Sequence, residues 1–164
     1  MFETLISKLQ EDKYLTLETT PQHEPSMHNI VEKIKKFKID SKVDGFTCTD
    51  NPLAKLKYNS LFAALKLQQE FKKPVIATMT MRDRNKIALQ SDLLGANDFD
   101  IRAILALTGD PANMSDQPNS KGVFEANSLM LLKMIKSFNY GMDFAGRPFK
   151  IEPKQIFPFA VVNA

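Results

Sequence analysis

A single cysteine, Cys48, among 164 residues excludes an internal disulfide and any cysteine-based zinc motif. Histidine is almost as scarce. His23 and His28 lie five residues apart, outside the usual spacing for a shared metal on a helix, and both read as loop or surface residues, so no metal site is expected. No stretch approaches the ~18 apolar residues of a membrane span, and no signal-peptide pattern opens the chain, so a cytoplasmic address without a membrane partner is expected. GxxxxGK[ST], GxGxxG and HExxH are all absent, which leaves phosphate-loop and zinc-protease readings unsupported. The formal charge is only +3, with the lysines spread over helix faces. The densest basic stretch, KIKKFK (33–38), has no aromatic platform beyond Phe37, so nucleic acid is not an expected partner.

What is present is a repeated grammar. AILALTGDPAN (103–113) is an apolar run that stops at Thr-Gly-Asp-Pro, with Asp110 at its mouth and Pro111 ending any ladder. YLTLETTP brings Glu18 to the same place in an earlier run, VDGFTCTDNP brings Thr49 and Asp50, and PVIATMTMRDRN brings Thr78, Thr80, Arg82 and Asp83. FPFAVVNA ends at Asn163. Glu18, Asp50, Thr80 and Asp110 are 32, 30 and 30 residues apart, the length of one strand, one helix and two loops.

The intervening segments carry helical periodicity. Residues 27–37 place Ile30, Ile34 and Phe37 on one face behind Ser26 as N-cap, and 58–71 space Leu61, Phe62 and Leu65 similarly. Residues 84–97 run to a Gly-Ala-Asn stop, 124–138 carry Leu129, Leu132 and Ile135, and 2–13 form an extra amphipathic helix ahead of the first strand. The order α-βαβαβαβαβ predicts an α/β fold with a parallel sheet, in a single domain over 1–164. Leu15, Leu17 and Val75 are expected on its interior face.

In such folds, side chains at the carboxyl ends of the strands gather in one crevice, where ligands bind. The expected rim is Glu18, Thr49, Asp50, Thr78, Thr80, Arg82, Asp83, Thr108, Gly109, Asp110 and Asn163. Glu18 and Asp110 are the acids expected to face inward, partly desolvated and suited to proton donation. Gly109 lets a flat ligand approach the backbone.

These residues carry a resemblance. MTMRDRNKIALQSDLLGANDFDIRAILALTGDPA (79–112) resembles the central block of methylenetetrahydrofolate reductases, above all the branch fused to a homocysteine methyltransferase. That branch reads His-Leu-Thr-Cys-Arg-Asp-Arg-Asn, then Leu-Gln-Ser, Leu-Leu-Gly and Ala-Leu-Thr-Gly-Asp-Pro. LETTP resembles the family's first-strand glutamate before a proline pair, and KGVFEANSLMLLKMI resembles the segment after the Gly-Asp-Pro loop.

The resemblance spans roughly residues 14 to 164. It implies a TIM-type (βα) barrel that binds FAD, oxidises NADH or NADPH and reduces 5,10-methylenetetrahydrofolate to 5-methyltetrahydrofolate. By position it implies that Glu18 protonates the folate nitrogen. It places Asp110 beside flavin and pterin, as a catalytic and a substrate-binding residue. Thr49, Thr108 and Gly109 would line the flavin, Thr78 stands for a family histidine that touches it, and Glu125 and Ala126 match a flavin-contacting pair. Met81 replaces the usual cysteine, and a single proline, Pro21, follows Glu18.

Five strands at this period use up the chain, whereas a closed barrel needs eight and typically ~250 residues. The expectation is therefore a partial barrel, the N-terminal portion of a longer reductase, with association with a further copy or a partner subunit left open. The alternative is a non-catalytic folate- or flavin-binding homologue that supports a partner reductase.

Overall fold

The computed structural model describes residues 1–11 and 13–162. The chain runs α1 (Phe2–Gln10), β1 (Thr16–Thr19), α2 (His28–Lys36), β2 (Gly45–Cys48), α3 (Ser60–Phe71), β3 (Val75–Thr80), α4 (Lys86–Asp98), β4 (Ala103–Leu107), α5 (Ser128–Asn139) and β5 (Phe157–Ala160). The strands form one sheet in the order β1-β2-β3-β4-β5, every pair parallel. Sequential strands lie side by side because each crossover carries a helix back to the start of the next strand. This is the α/β architecture of a partial TIM-type barrel.

Alternation along the strands sorts side chains between two faces. Phe46, Cys48, Val75, Ala77, Met79, Ile104 and Ala106 pack with helix residues such as Val31, Leu67, Leu89 and Leu131 in the main core. Ile76 and Ala103 point the other way, onto the concave face, and there they meet Leu5 of α1. Leu5 is fully buried, with Phe2, Leu9, Tyr14, Leu105 and Phe159 around it. Helix α1 therefore covers the lower part of the interior. This corrects the expected interior set, because Val75 and Leu17 belong to the helix-side core and Leu15 is exposed.

Asparagines fix three helix starts. Asn59, Asn85 and Asn127 accept amide hydrogen bonds from Leu61, Ala88 and Leu129, respectively, at the starts of α3, α4 and α5. Ser26 accepts from His28 N at 3.0 Å, yet Met27 holds the N-cap position of α2. Helix α4 ends one residue past Gly-Ala-Asn, at Asp98, but none of these three residues makes the left-handed turn, which falls at Asp100 with φ 62°. Asn97 is held inside instead, donating to Lys154 O at 2.7 Å and accepting from Lys154 N at 3.1 Å, which anchors the approach to β5. Helix α5 begins four residues later than the periodicity suggests, and β5 ends at Ala160, with Val161 and Val162 exposed. Asn163 lies outside the described residues. Among the described residues, no helix is long and apolar enough to cross a membrane.

Candidate functional site

The carboxyl ends of β1 to β4 open onto one crevice of about 340 Å³, lined by Glu18, Thr49, Asp50, Thr78, Thr80 and the turn Thr108-Gly109-Asp110, with Leu105 and Leu107 as its apolar floor. Parallel register produces this convergence. Glu18 pairs with Thr47, and Thr78 and Thr80 pair with Leu105 and Leu107, so their side chains share the concave face. Glu18 is exposed here, not desolvated as the sequence suggested.

Asp50 is the buried acid of the rim, at 3% exposure, and it is fully engaged. It accepts from Thr80 N and Oγ1 at 2.9 Å each, and from Arg84 Nη1 and Nη2 at 2.6 and 3.2 Å. Burial works against the charge of Arg84, but Asp50 and Asp92 together hold its pKa above the ordinary arginine value. A carboxylate locked in this way ties β2 to β3 and has little left to offer a ligand. Sequence reasoning placed Asp50 on the rim without a role, with Glu18 and Asp110 as the inward acids, and passed over Arg84. The signal was present in RDRN, where a second arginine follows the strand two residues after the first.

The residues left with capacity differ in kind. Thr49 Oγ1 is buried and has no hydrogen-bond partner, an orphan hydroxyl at the crevice wall. Gly109 has φ 98°, and a Cβ there would stand 3.0 Å from Arg82 Cβ and 3.2 Å from Thr80 Cβ, so only glycine fits. Asp110 accepts from Leu53 N at 2.6 Å through Oδ2. Thr108 lies at the crevice edge, where its hydroxyl accepts from Ser128 N at 3.1 Å at the start of α5.

Other expected residues are drawn elsewhere. Glu125 accepts from Lys86 N at 2.9 Å, placing its carboxylate at the N-terminus of α4, where the helix dipole favours it. Ala126 packs against the helix-side core. Neither lines the crevice. Arg82 and Asp83 border a separate cavity of about 170 Å³ behind the rim, together with Asn51 and Lys121. Arg82 donates to Asp83 through Nε and Nη2 at 2.8 and 2.6 Å. Burial alone would raise the Asp83 pKa, and the Arg82 hydrogen bonds and charge leave it below the usual carboxylate range. Cys48 faces the helix-side core, and burial pushes its thiol up to about 12, so it is no nucleophile. Among the described residues, no cluster of three or more His, Cys, Asp or Glu is arranged to hold a metal.

An orphan hydroxyl, a bare glycine backbone, an apolar floor and two carboxylates in one open crevice suit a flat, polar-edged ring ligand. The family model for methylenetetrahydrofolate reductase matches residues 3–149. No curated protein matches the chain.

Proposed function

The chain belongs to the methylenetetrahydrofolate reductase family, and from that premise we propose that its crevice serves the flavin-dependent reduction of 5,10-methylenetetrahydrofolate to 5-methyltetrahydrofolate. The single domain over 1–164 forms the N-terminal portion of the reductase barrel in this reading. The observation that carries it is the gathering of Glu18, Thr49, Thr78, Thr108, Gly109 and Asp110 around one crevice.

The residues present fit a flavin. Thr49 has a hydroxyl without a partner, and Gly109 leaves its backbone free of a side chain. FAD would lie against Thr49, Thr78 and the Thr108-Gly109-Asp110 turn, where it would supply hydride chemistry drawn from NAD(P)H. Glu18 stands across the crevice on β1, exposed and therefore reachable by a bound folate. Its role is to give a proton to the folate nitrogen whose departure opens the bridging ring to an iminium. Asp110 hydrogen-bonds the pterin with the oxygen that Leu53 does not occupy, and its negative charge opposes the build-up of electron density beside it.

A second reading, a folate- or flavin-binding homologue without turnover, is favoured by Thr78, which stands in the crevice at the place of a family histidine that touches FAD. Flavin absorbance in the purified protein, followed by stopped-flow reduction with NAD(P)H and reoxidation with methylenetetrahydrofolate, separates the two. Flavin that is never reoxidised by the folate identifies the binding homologue. A protein that takes up neither FAD nor folate in titration overturns both.

A further inference from the structure

Arg82 sits behind the crevice, not in it, and is among the most deeply buried large side chains, at 2% exposure. Its guanidinium joins two loops. Nε and Nη2 grip Asp83 after β3, and Nη2 also donates to the carbonyl of Asn51 after β2 at 3.0 Å. Its own carbonyl accepts from Val123 N at 2.6 Å, tying in the long loop after β4. A Cβ at Gly109 would meet the Arg82 Cβ at 3.0 Å.

The Asn51 loop is costly to hold. Asn51, Leu53 and Ala54 all adopt left-handed backbone conformations, with φ 44°, 56° and 58°. That region is disfavoured for residues with a Cβ, more for Leu53 and Ala54 than for an asparagine. Such strain persists only where surrounding contacts fix it. The contacts are Arg82 on Asn51 O, Asn51 Oδ1 accepting from Lys57 N at 2.8 Å, and Asp116 accepting from Leu56 N at 3.0 Å. The product of this geometry is one backbone N–H, that of Leu53, aimed at Asp110 Oδ2.

We propose that Arg82 is the positioning residue of the crevice: by clamping Asn51 it holds the strained loop that presents Leu53 N–H to Asp110, so that one carboxylate oxygen is fixed and the other is turned to the ligand. Arg82 acts from outside the crevice, on Asp110 and through the loop. No ion pair joins Arg82 to Asp110, yet Asp110 is one of the carboxylates that favour the charged guanidinium, after Asp83 and Asp50. The inference rests on the reading of Asp110 as the ligand-facing acid.

The test uses the full chain in wild-type form and as Arg82→Met, Arg82→Lys, Asp110→Asn and the double variant Arg82→Met/Asp110→Asn. Hydrogen exchange at the Leu53 amide, resolved by fragmentation mass spectrometry, reads the clamp without any ligand. Arg82→Met and Asp110→Asn are each expected to speed Leu53 exchange about tenfold or more, and the double variant no further than either single change. Arg82→Lys keeps the charge but not the fork, and is expected to fall between wild type and Arg82→Met. If Arg82→Met melts far below wild type, Arg82→Lys decides the matter alone, since intermediate Leu53 protection in it supports the clamp and full protection overturns it.

Titration with FAD is the second readout. Arg82→Met weakens binding about tenfold when Asp110 is present and has no effect in the Asp110→Asn background. Additive losses would assign Arg82 a merely structural role and sink the proposal. A wild-type chain that holds no FAD while Leu53 exchange follows the expected pattern would remove the flavin reading and leave the clamp standing.

Discussion

At the scale of single residues, three acids at strand ends do three different jobs, and only two are free for chemistry. Glu18 is open to the crevice, Asp110 shares one oxygen with Leu53, and Asp50 is consumed by Thr80 and Arg84. Replacing Glu18 with Gln in the active reductase is expected to abolish folate reduction and leave flavin reduction by NAD(P)H nearly intact. Only the folate half-reaction needs a proton at nitrogen. Stopped-flow traces of the separate half-reactions check this, and equal loss in both would refute the role. Asp110→Asn is expected to weaken folate binding and raise the flavin potential, because a nearby negative charge disfavours added electrons. A spectroelectrochemical titration with an unchanged midpoint would place Asp110 away from the ring. The positions of Glu18 and Asp110 were legible because strand ends in a parallel sheet must converge. The fate of Asp50 was not, since it depends on which arginine folds back over which strand.

At the scale of elements, the repeat of about 30 residues revealed the five described strands and the α-helices between them, while their ends were set by chemistry that periodicity does not record. Asn127 starts α5 after the apolar pattern has already begun, and Asn97 is spent on Lys154 one residue before α4 ends. The amphipathic character of α1 was readable, but not that it would dock under the concave face, because a moment says which side is apolar and not what it meets. Leu5→Ala should therefore cost about 2–5 kcal/mol, the range for emptying a fully buried leucine site. Chemical denaturation measures this, and a loss under 1 kcal/mol would mean that α1 is only loosely seated. The junction of α1 with the sheet also carries a pH signature. Asp44 accepts from Leu15 N at 2.9 Å and lies 3.3 Å from Lys8 Nζ. These contacts, the backbone hydrogen bond first, hold its pKa below the usual carboxylate value. A depressed acid stabilises the fold above its unfolded pKa and loses that contribution as pH falls through its folded pKa. Asp44→Asn is thus expected to lower the melting temperature at pH 7, with the difference from wild type closing below about pH 4. A difference that is constant from pH 7 to pH 3 would show that the ionised form contributes nothing.

At the scale of the whole molecule, the five described strands leave two lateral edges, since β1 and β5 each pair with one neighbour only. Natural edges are blunted by charge, proline or cover. Here β5 has Pro158, which suits an edge, but Pro158 and Ala160 also border an open groove of about 590 Å³ beside Leu132, Ile135 and Tyr140 of the α5 region. On the concave side α1 covers Ile76 and Ala103, while Leu105, Leu107, Phe157 and Phe159 remain only half-buried. Burying a large apolar side chain fully contributes about 1.5–3 kcal/mol, so four that keep at most about a third of their surface exposed leave up to roughly 2–4 kcal/mol unrealised. That is a substantial part of the ~5–15 kcal/mol by which a domain is stable. The cheapest way to recover it is for another polypeptide surface to cover the same face and pair with an open edge. The 164-residue polypeptide studied by itself is therefore expected to self-associate with rising concentration and to bind FAD weakly. Sedimentation velocity over a hundredfold concentration range, with FAD titrated in parallel, measures both. A monomer at every concentration holding stoichiometric FAD would show that the half-covered sheet is sufficient alone. The cost of those four side chains would then have to be met by packing of α1 over the interior, which Leu5→Ala in the same assay would expose as new association.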